Sequence, residues 1–257
     1  MNSERRVAAV ALLLALTLVG CGVGKGDQGS SLTVSAASSL KDAFTQYAEA
    51  FSDGEVKLQF AGSNALATQI RQGVRPDIFA AANTELPQEL FAAGLVERPI
   101  IFAGNRLVIA VGRDAMKVKS LADLSARDIT VAIGAAGVPV GDYTAKVLSR
   151  LPSVQRAAIL NNVRSREPDV GGIVGKLSQG AVDAGFVYIT DVEASGGRLK
   201  AIELPPALEP HVAYGVAVVK GSAQHKQAET FVAGLLDGGG QRALAGAGFE
   251  PPPAGAR

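Results

Sequence analysis

Two turns in this sequence place hydroxyls where helices begin: Ala37-Ser38-Ser39 ahead of Leu40, and Gly62-Ser63-Asn64 ahead of Leu66. At each, a strand signal ends, small residues turn the chain, and apolar residues follow at helical spacing. The first N–H groups of a helix lack an intrahelical acceptor and carry a partial positive charge, and a serine there adds a hydroxyl donor. Such a turn holds an anion without any cationic side chain. Taken singly, either serine reads first as an N-cap for its own helix. Two of them, one βα unit apart, raise the chemistry of an anion held by neutral donors.

Other chemistries find less support. His211 and His225 are the only histidines and lie on different segments; with a single cysteine, they predict no metal-ligand cluster. No Gly-x-Ser-x-Gly elbow is present, neither histidine has a triad context, and no carboxylate pair is spaced for acid–base work, so a secreted serine hydrolase is the weaker alternative. Gly171-Gly172 and Gly238-Gly239-Gly240 lack the spacing of a phosphate-cradling loop, and the second reads as a helix stop. Asp77, in Arg75-Pro76-Asp77, is expected to pin a turn. The 25 Lys and Arg nearly cancel the 24 Asp and Glu, which leaves no basic field for nucleic acid. A bound anion must therefore be held by local dipoles.

The elements that would position these turns alternate. With 47% hydrophobic and 19% charged residues, the 257-residue chain has globular composition and the length for one large core or two modest ones. Strand signals at 32–34, 56–60 and 77–81 each lead into a helical pattern, the third through Asn83 as N-cap, with Gly94 as a stop. An apolar stretch at 100–111 precedes a second set: strands at 129–133 and 184–189, helices at 143–151 and 170–177, then a strand at 215–219 and a helix around Phe231 to Leu236. Serial βα units predict an α/β fold with parallel sheets covered on both faces.

The first residues have the form of a secretion signal. Arg5 and Arg6 precede an apolar run from Val7 to Val19 that is short for a membrane span, and the run closes on Leu18-Val19-Gly20-Cys21, which resembles a bacterial lipobox. Cys21 has no partner for a disulfide, and lipid attachment to its thiol would make it the new N-terminus. Loss of residues 1–20 removes Arg5, Arg6 and Glu4 and leaves 23 basic and 23 acidic residues. Residues 21–31 read as a flexible tether.

Several segments in order resemble one family. Val34-Ser35-Ala36-Ala37-Ser38-Ser39-Leu40 and Phe60-Ala61-Gly62-Ser63-Asn64-Ala65-Leu66 look like the start of the periplasmic molybdate-binding proteins of ABC transporters. Val138-Pro139-Val140-Gly141-Asp142-Tyr143, Asp169-Val170, Gly185-Phe186-Val187-Tyr188-Ile189-Thr190-Asp191, Gly215-Val216-Ala217-Val218-Val219-Lys220 and Phe249-Glu250-Pro251-Pro252 continue the match.

That resemblance implies a two-lobed periplasmic-binding-protein fold of type II, each lobe a mainly parallel sheet flanked by helices. It places lobe I at 32–103 plus 218–257 and lobe II at 104–217, with crossover strands at 100–111 and 214–219 as hinge. It implies molybdate or tungstate bound by Ser39 and Ser63 from one lobe, by the backbone N–H groups of Val140 and Val170 from the other, and by the Tyr188 hydroxyl. Ser38 stands where the family often has alanine and is a possible additional ligand. The resemblance further implies no cofactor, no catalysis, a monomer, and delivery to the permease and ATPase of an importer from the outer face of the cell membrane. Sulfate or another small anion is the alternative ligand within the same fold.

Overall fold

The structure is a computed structural model and describes residues 31–253. The signal segment, Cys21 and nearly all of the tether lie outside the described residues. Among the described residues, no helix is long and apolar enough to cross a membrane.

Ten strands form two five-stranded sheets. The first holds β1 (Leu32–Ala37), β2 (Val56–Ala61), β3 (Ile78–Ala81), β4 (Ile100–Asn105) and β10 (Val212–Val218), in the order β2-β1-β3-β10-β4. The second holds β5 (Leu107–Gly112), β6 (Val131–Gly134), β7 (Val163–Glu167), β8 (Ala184–Tyr188) and β9 (Leu199–Ile202), in the order β7-β6-β8-β5-β9. The two orders follow one plan. In the first sheet β1 runs parallel to β2 and β3, while β10 runs against β3 and β4. In the second, β6 runs parallel to β7 and β8, while β5 runs against β8 and β9. The strand that enters each lobe from the other is thus the antiparallel one, and the remaining four are parallel. β3, β6 and β8 are buried along their whole length, as strands covered on both faces must be.

The expected lobe limits need correction. Gly104 and Asn105 pair with Ala213 and Val212, so 104–105 and 212–217 belong to the first sheet, not the second. The apolar stretch 100–111 is two strands in different sheets, parted at Arg106. The second passage runs through residues 203–211, ahead of the segment 214–219 where it was expected. The two halves are apolar and largely buried alike, so the only mark of the change of sheet is the polar pair Asn105-Arg106 between them.

The helices α1 (Lys41–Ala50), α2 (Ser63–Arg71) and α3 (Glu85–Ala92) follow β1, β2 and β3, and α4 (Pro139–Ser149), α6 (Val170–Ser178) and α7 (Ile189–Glu193) follow β6, β7 and β8. Between α4 and β7 lies α5 (Ser153–Asn161), and after β10 the chain forms α8 (His225–Leu236) and α9 (Gly239–Gly246). The helix stop expected at 238–240 is only half of what happens there. Gly238 takes φ 135°, a left-handed conformation that suits glycine, and the chain restarts at once as α9. Asp77 does pin a turn, accepting from the Thr33 N–H at 2.7 Å and the Ser222 hydroxyl at 2.6 Å.

The main core runs through both sheets. An aromatic column joins them, with Tyr214 edge-on to Phe249 (centroids 5.3 Å) and to Tyr188 (5.8 Å), and Tyr188 edge-on to Tyr143 (6.4 Å). Edge-to-face rings fix one another's rotamers as well as burying area. This column lies under the place where the two lobes meet.

Candidate functional site

The carboxyl ends of the parallel strands of both sheets face one another, the position where open α/β sheets place ligands. A cavity of about 10 Å³, on the order of one water-sized sphere, is lined there by Ser38 and Ser39, Gly62 and Ser63, Pro139 and Val140, Asp169 and Val170, and Tyr188. All five expected ligand residues, with Ser38, therefore converge on one point. Each stands at the end of a parallel strand or at the start of the helix that follows it: β1, β2, β6, β7 and β8 in that order.

Ser63 opens α2 and is 2% exposed. Its Oγ accepts the Ala82 N–H at 3.1 Å, so its own hydrogen is free for the cavity. Ser39 stands in the 3₁₀ turn Ser38–Leu40 that leads into α1, with its Oγ 2.9 Å from the Tyr214 hydroxyl. Val140 and Val170 are the second residue of α4 and the first of α6, with buried side chains and first-turn N–H groups that have no acceptor within their helices. Pro139 supports this arrangement as a first helical residue whose missing N–H is no loss. The Tyr188 hydroxyl is buried and has no hydrogen-bond partner among the described residues. Burial holds its pKa well above 10, so it keeps its proton and can donate.

The lining contains no Lys, Arg or His and one carboxylate. That carboxylate, Asp169, departs from the expectation that acids are kept away. Its Oδ1 accepts the Gly172 N–H at 3.1 Å as the N-cap of α6, which ties its charge to the helix dipole. Just behind the cavity, Asp191 accepts the Tyr188 N–H at 2.9 Å. Burial, opposed by that hydrogen bond and helped by the charges of Asp169 and Asp42, raises its carboxyl to about 7.

The lobes are closed on each other. A Cβ on Gly62 would overlap the Pro168 carbonyl oxygen, so only glycine allows this approach of first lobe to second. On the rim, Lys146 reaches Glu85 across the gap at 3.5 Å.

Three residues at this site escaped the reading of the sequence. Asn105, Thr190 and Tyr214 are buried and joined, with Asn105 Nδ2 donating to Thr190 Oγ1 at 2.9 Å and to the Tyr214 hydroxyl at 3.4 Å. The signal available was the polar Asn105, which with Arg106 interrupts the apolar stretch. The expectation of no metal-ligand cluster also needs correction, since the fold brings Glu97 and Glu229 to His225, with ligand atoms within 4.8 Å. The imidazole uses Nε2 on Glu97 at 2.6 Å and Nδ1 on Glu229 at 3.6 Å, so this surface group acts as an ion-pair bridge between α8 and the segment before β4. The carboxylates, Glu97 first, raise the imidazole's pKa.

Residues 32–250 match the model of a family described as bacterial extracellular solute-binding proteins. The molybdate-binding protein ModA of Mycobacterium tuberculosis is 34% identical over 257 residues, covering 95% of this chain and 96% of its own. Among solved structures, the periplasmic molybdate-binding protein of Azotobacter vinelandii is similar, with a TM-score of 0.76 at 20% identity over 86% of this chain and 99% of that one. The sulfate-binding protein SubI of M. tuberculosis is similar to the same degree, with a TM-score of 0.75 at 19% identity over 86% of both. The two structural likenesses establish the fold and leave the anion open.

Proposed function

The chain belongs to the bacterial extracellular solute-binding proteins, in the family of the molybdate-binding ModA proteins, and on that premise we propose that it captures molybdate, and tungstate with it, for an ABC importer. The observation that carries this reading is a cavity between the lobes on which donors converge without a cation: hydroxyls of Ser39, Ser63 and Tyr188, and N–H groups at the starts of α4 and α6, with Asp169 as the one carboxylate beside them. In a desolvated site such fixed dipoles act at low dielectric and interact more strongly than in water. Ser38 lines the same cavity and is a possible further donor.

Discrimination follows from the protons. Near neutral pH phosphate carries a proton that requires an acceptor; the one carboxylate of the lining, Asp169, is engaged as the N-cap of α6, and a proton that meets only the donors is left unpaired at a cost of about 1–3 kcal/mol. Molybdate, tungstate and sulfate carry none, so rejection of sulfate falls to the size of the closed cavity. Binding across both lobes favours the closed state by differential affinity, and the closed pair of lobes is the surface the permease and its ATPase partner would read. The protein works as a monomer without catalysis or cofactor, with lobe I at 31–105 and 212–253 and lobe II at 107–202. Cys21 anchors it to the outer face of the membrane after loss of residues 1–20, and mass spectrometry of the mature N-terminus would reveal a diacylglyceryl group there.

A thermal-shift series at pH 7.5 tests the ligand. Molybdate and tungstate should raise the melting temperature by several degrees, with sulfate and phosphate barely moving it. A larger shift with sulfate would transfer the site to the alternative anion.

A further inference from the structure

We propose that Asn105 and Tyr214 form a hydrogen-bond relay that fixes the Ser39 hydroxyl as a donor toward the anion and thereby helps select unprotonated oxyanions; the inference rests on Ser39 being a ligand. The direction of the relay can be traced from a backbone group. The Arg106 N–H can only donate, so the Asn105 side-chain atom 2.8 Å away is its carbonyl oxygen. The amide nitrogen of Asn105 must then face Thr190 Oγ1 at 2.9 Å and the Tyr214 hydroxyl at 3.4 Å. An NH₂ group has nothing but hydrogens to offer. Tyr214 therefore accepts from Asn105 and turns its single hydrogen to its other polar neighbour, Ser39 Oγ at 2.9 Å. Ser39 accepts in turn, and its own hydrogen is left for the ligand.

Ser63 reaches the same polarity by a shorter route, because the Ala82 N–H donates directly to its Oγ at 3.1 Å. A backbone amide does not reverse, so one lone pair of the Ser63 Oγ is always taken and its hydrogen is always available to the cavity. Ser39 depends on a phenol hydroxyl that can rotate, held by an amide at the end of β4. Without the relay its Oγ is free to accept from a protonated oxyanion such as hydrogen phosphate. Tyr214 and Asn105 are 0% and 4% exposed, so water does not compete for these bonds. The Tyr214 ring is packed edge-on against Phe102, Tyr188 and Phe249, which lets phenylalanine keep the packing while removing the hydroxyl.

The test is calorimetry at pH 7 with molybdate, and with inorganic phosphate by displacement, on the unmutated protein, Tyr214→Phe, Ser39→Ala and the double variant. Tyr214→Phe should weaken molybdate about fivefold or more and narrow the molybdate-to-phosphate ratio by about tenfold. In the Ser39→Ala background the same change should alter molybdate binding less than about twofold, because the group it polarises is gone. Equal loss of both anions, or an undiminished effect of Tyr214→Phe in the Ser39→Ala background, would overturn the relay and leave the molybdate reading intact. Absence of molybdate binding by the unmutated protein would overturn that reading and the relay with it. Melting temperatures of the ligand-free variants within a few degrees of the parent establish that differences in affinity arise at the site.

Discussion

Tyr188 shows how a binding site is kept at the expense of the free protein. Its hydroxyl is buried without a partner, a condition that costs about 1–3 kcal/mol in the absence of ligand. Tyr188→Phe removes the orphan atom and keeps the ring against Tyr143 and Tyr214. We expect the ligand-free variant to melt at or above the parent temperature and to bind molybdate at least about tenfold more weakly, opposite signs that a purely structural tyrosine would not give. The residues legible in the sequence by type and place were the serines of the two turns, Ser39 and Ser63, while Val140, Val170 and Tyr188 came through the family resemblance. Asn105 and Tyr214 were not legible, because their role depends on a contact between β4 and β10 that no local spacing encodes.

At the scale of elements, the site is made by helix starts, two of which present apolar side chains. Val140 and Val170 would be poor ligands by residue type, and their place at the first turns of α4 and α6 is what matters. Val170→Pro and Val170→Ala separate side chain from backbone. Proline suits a first helical position, and Asp169 before it is already extended at φ −158°, ψ 173°. The helix should persist while one N–H is lost. Calorimetry should find the alanine variant within about threefold of the parent and the proline variant at least about tenfold weaker, the loss of one charge-assisted hydrogen bond. The βα alternation was readable from periodicity, and the observed helices after β1, β2, β3 and β6, with α6, follow it. Five elements were not: β7, where half-buried and exposed positions alternate without a strong apolar signal, α5 and the five-residue α7, whose first residue reads as strand, α9, which begins in glycines, and β9, a four-residue strand.

For the whole molecule, closure is the functional event, and Gly62 reports on it. Its φ −60°, ψ 134° suits alanine, and within its own lobe the closest atom to a methyl there is the Asn64 Oδ1 at 2.9 Å, the end of a side chain that can turn aside. On closure the methyl would meet the Pro168 carbonyl oxygen. Gly62→Ala should leave ligand-free melting unchanged, weaken molybdate binding by about tenfold or more, and abolish the contraction on adding molybdate that small-angle scattering should detect in the parent protein. Sheet order lay beyond the sequence, since the apolar runs on either side of Asn105-Arg106 are equally at home in either lobe, and that pair was the one local mark of the change of sheet.

The central claim is one anion held between two lobes by donors from both, and tungstate is dense enough to be located directly. Anomalous diffraction from crystals grown with tungstate should give a single strong peak within hydrogen-bonding distance of Ser39, Ser63, Val140, Val170 and Tyr188. A peak elsewhere, or none at this point with the lobes closed, would contradict the account.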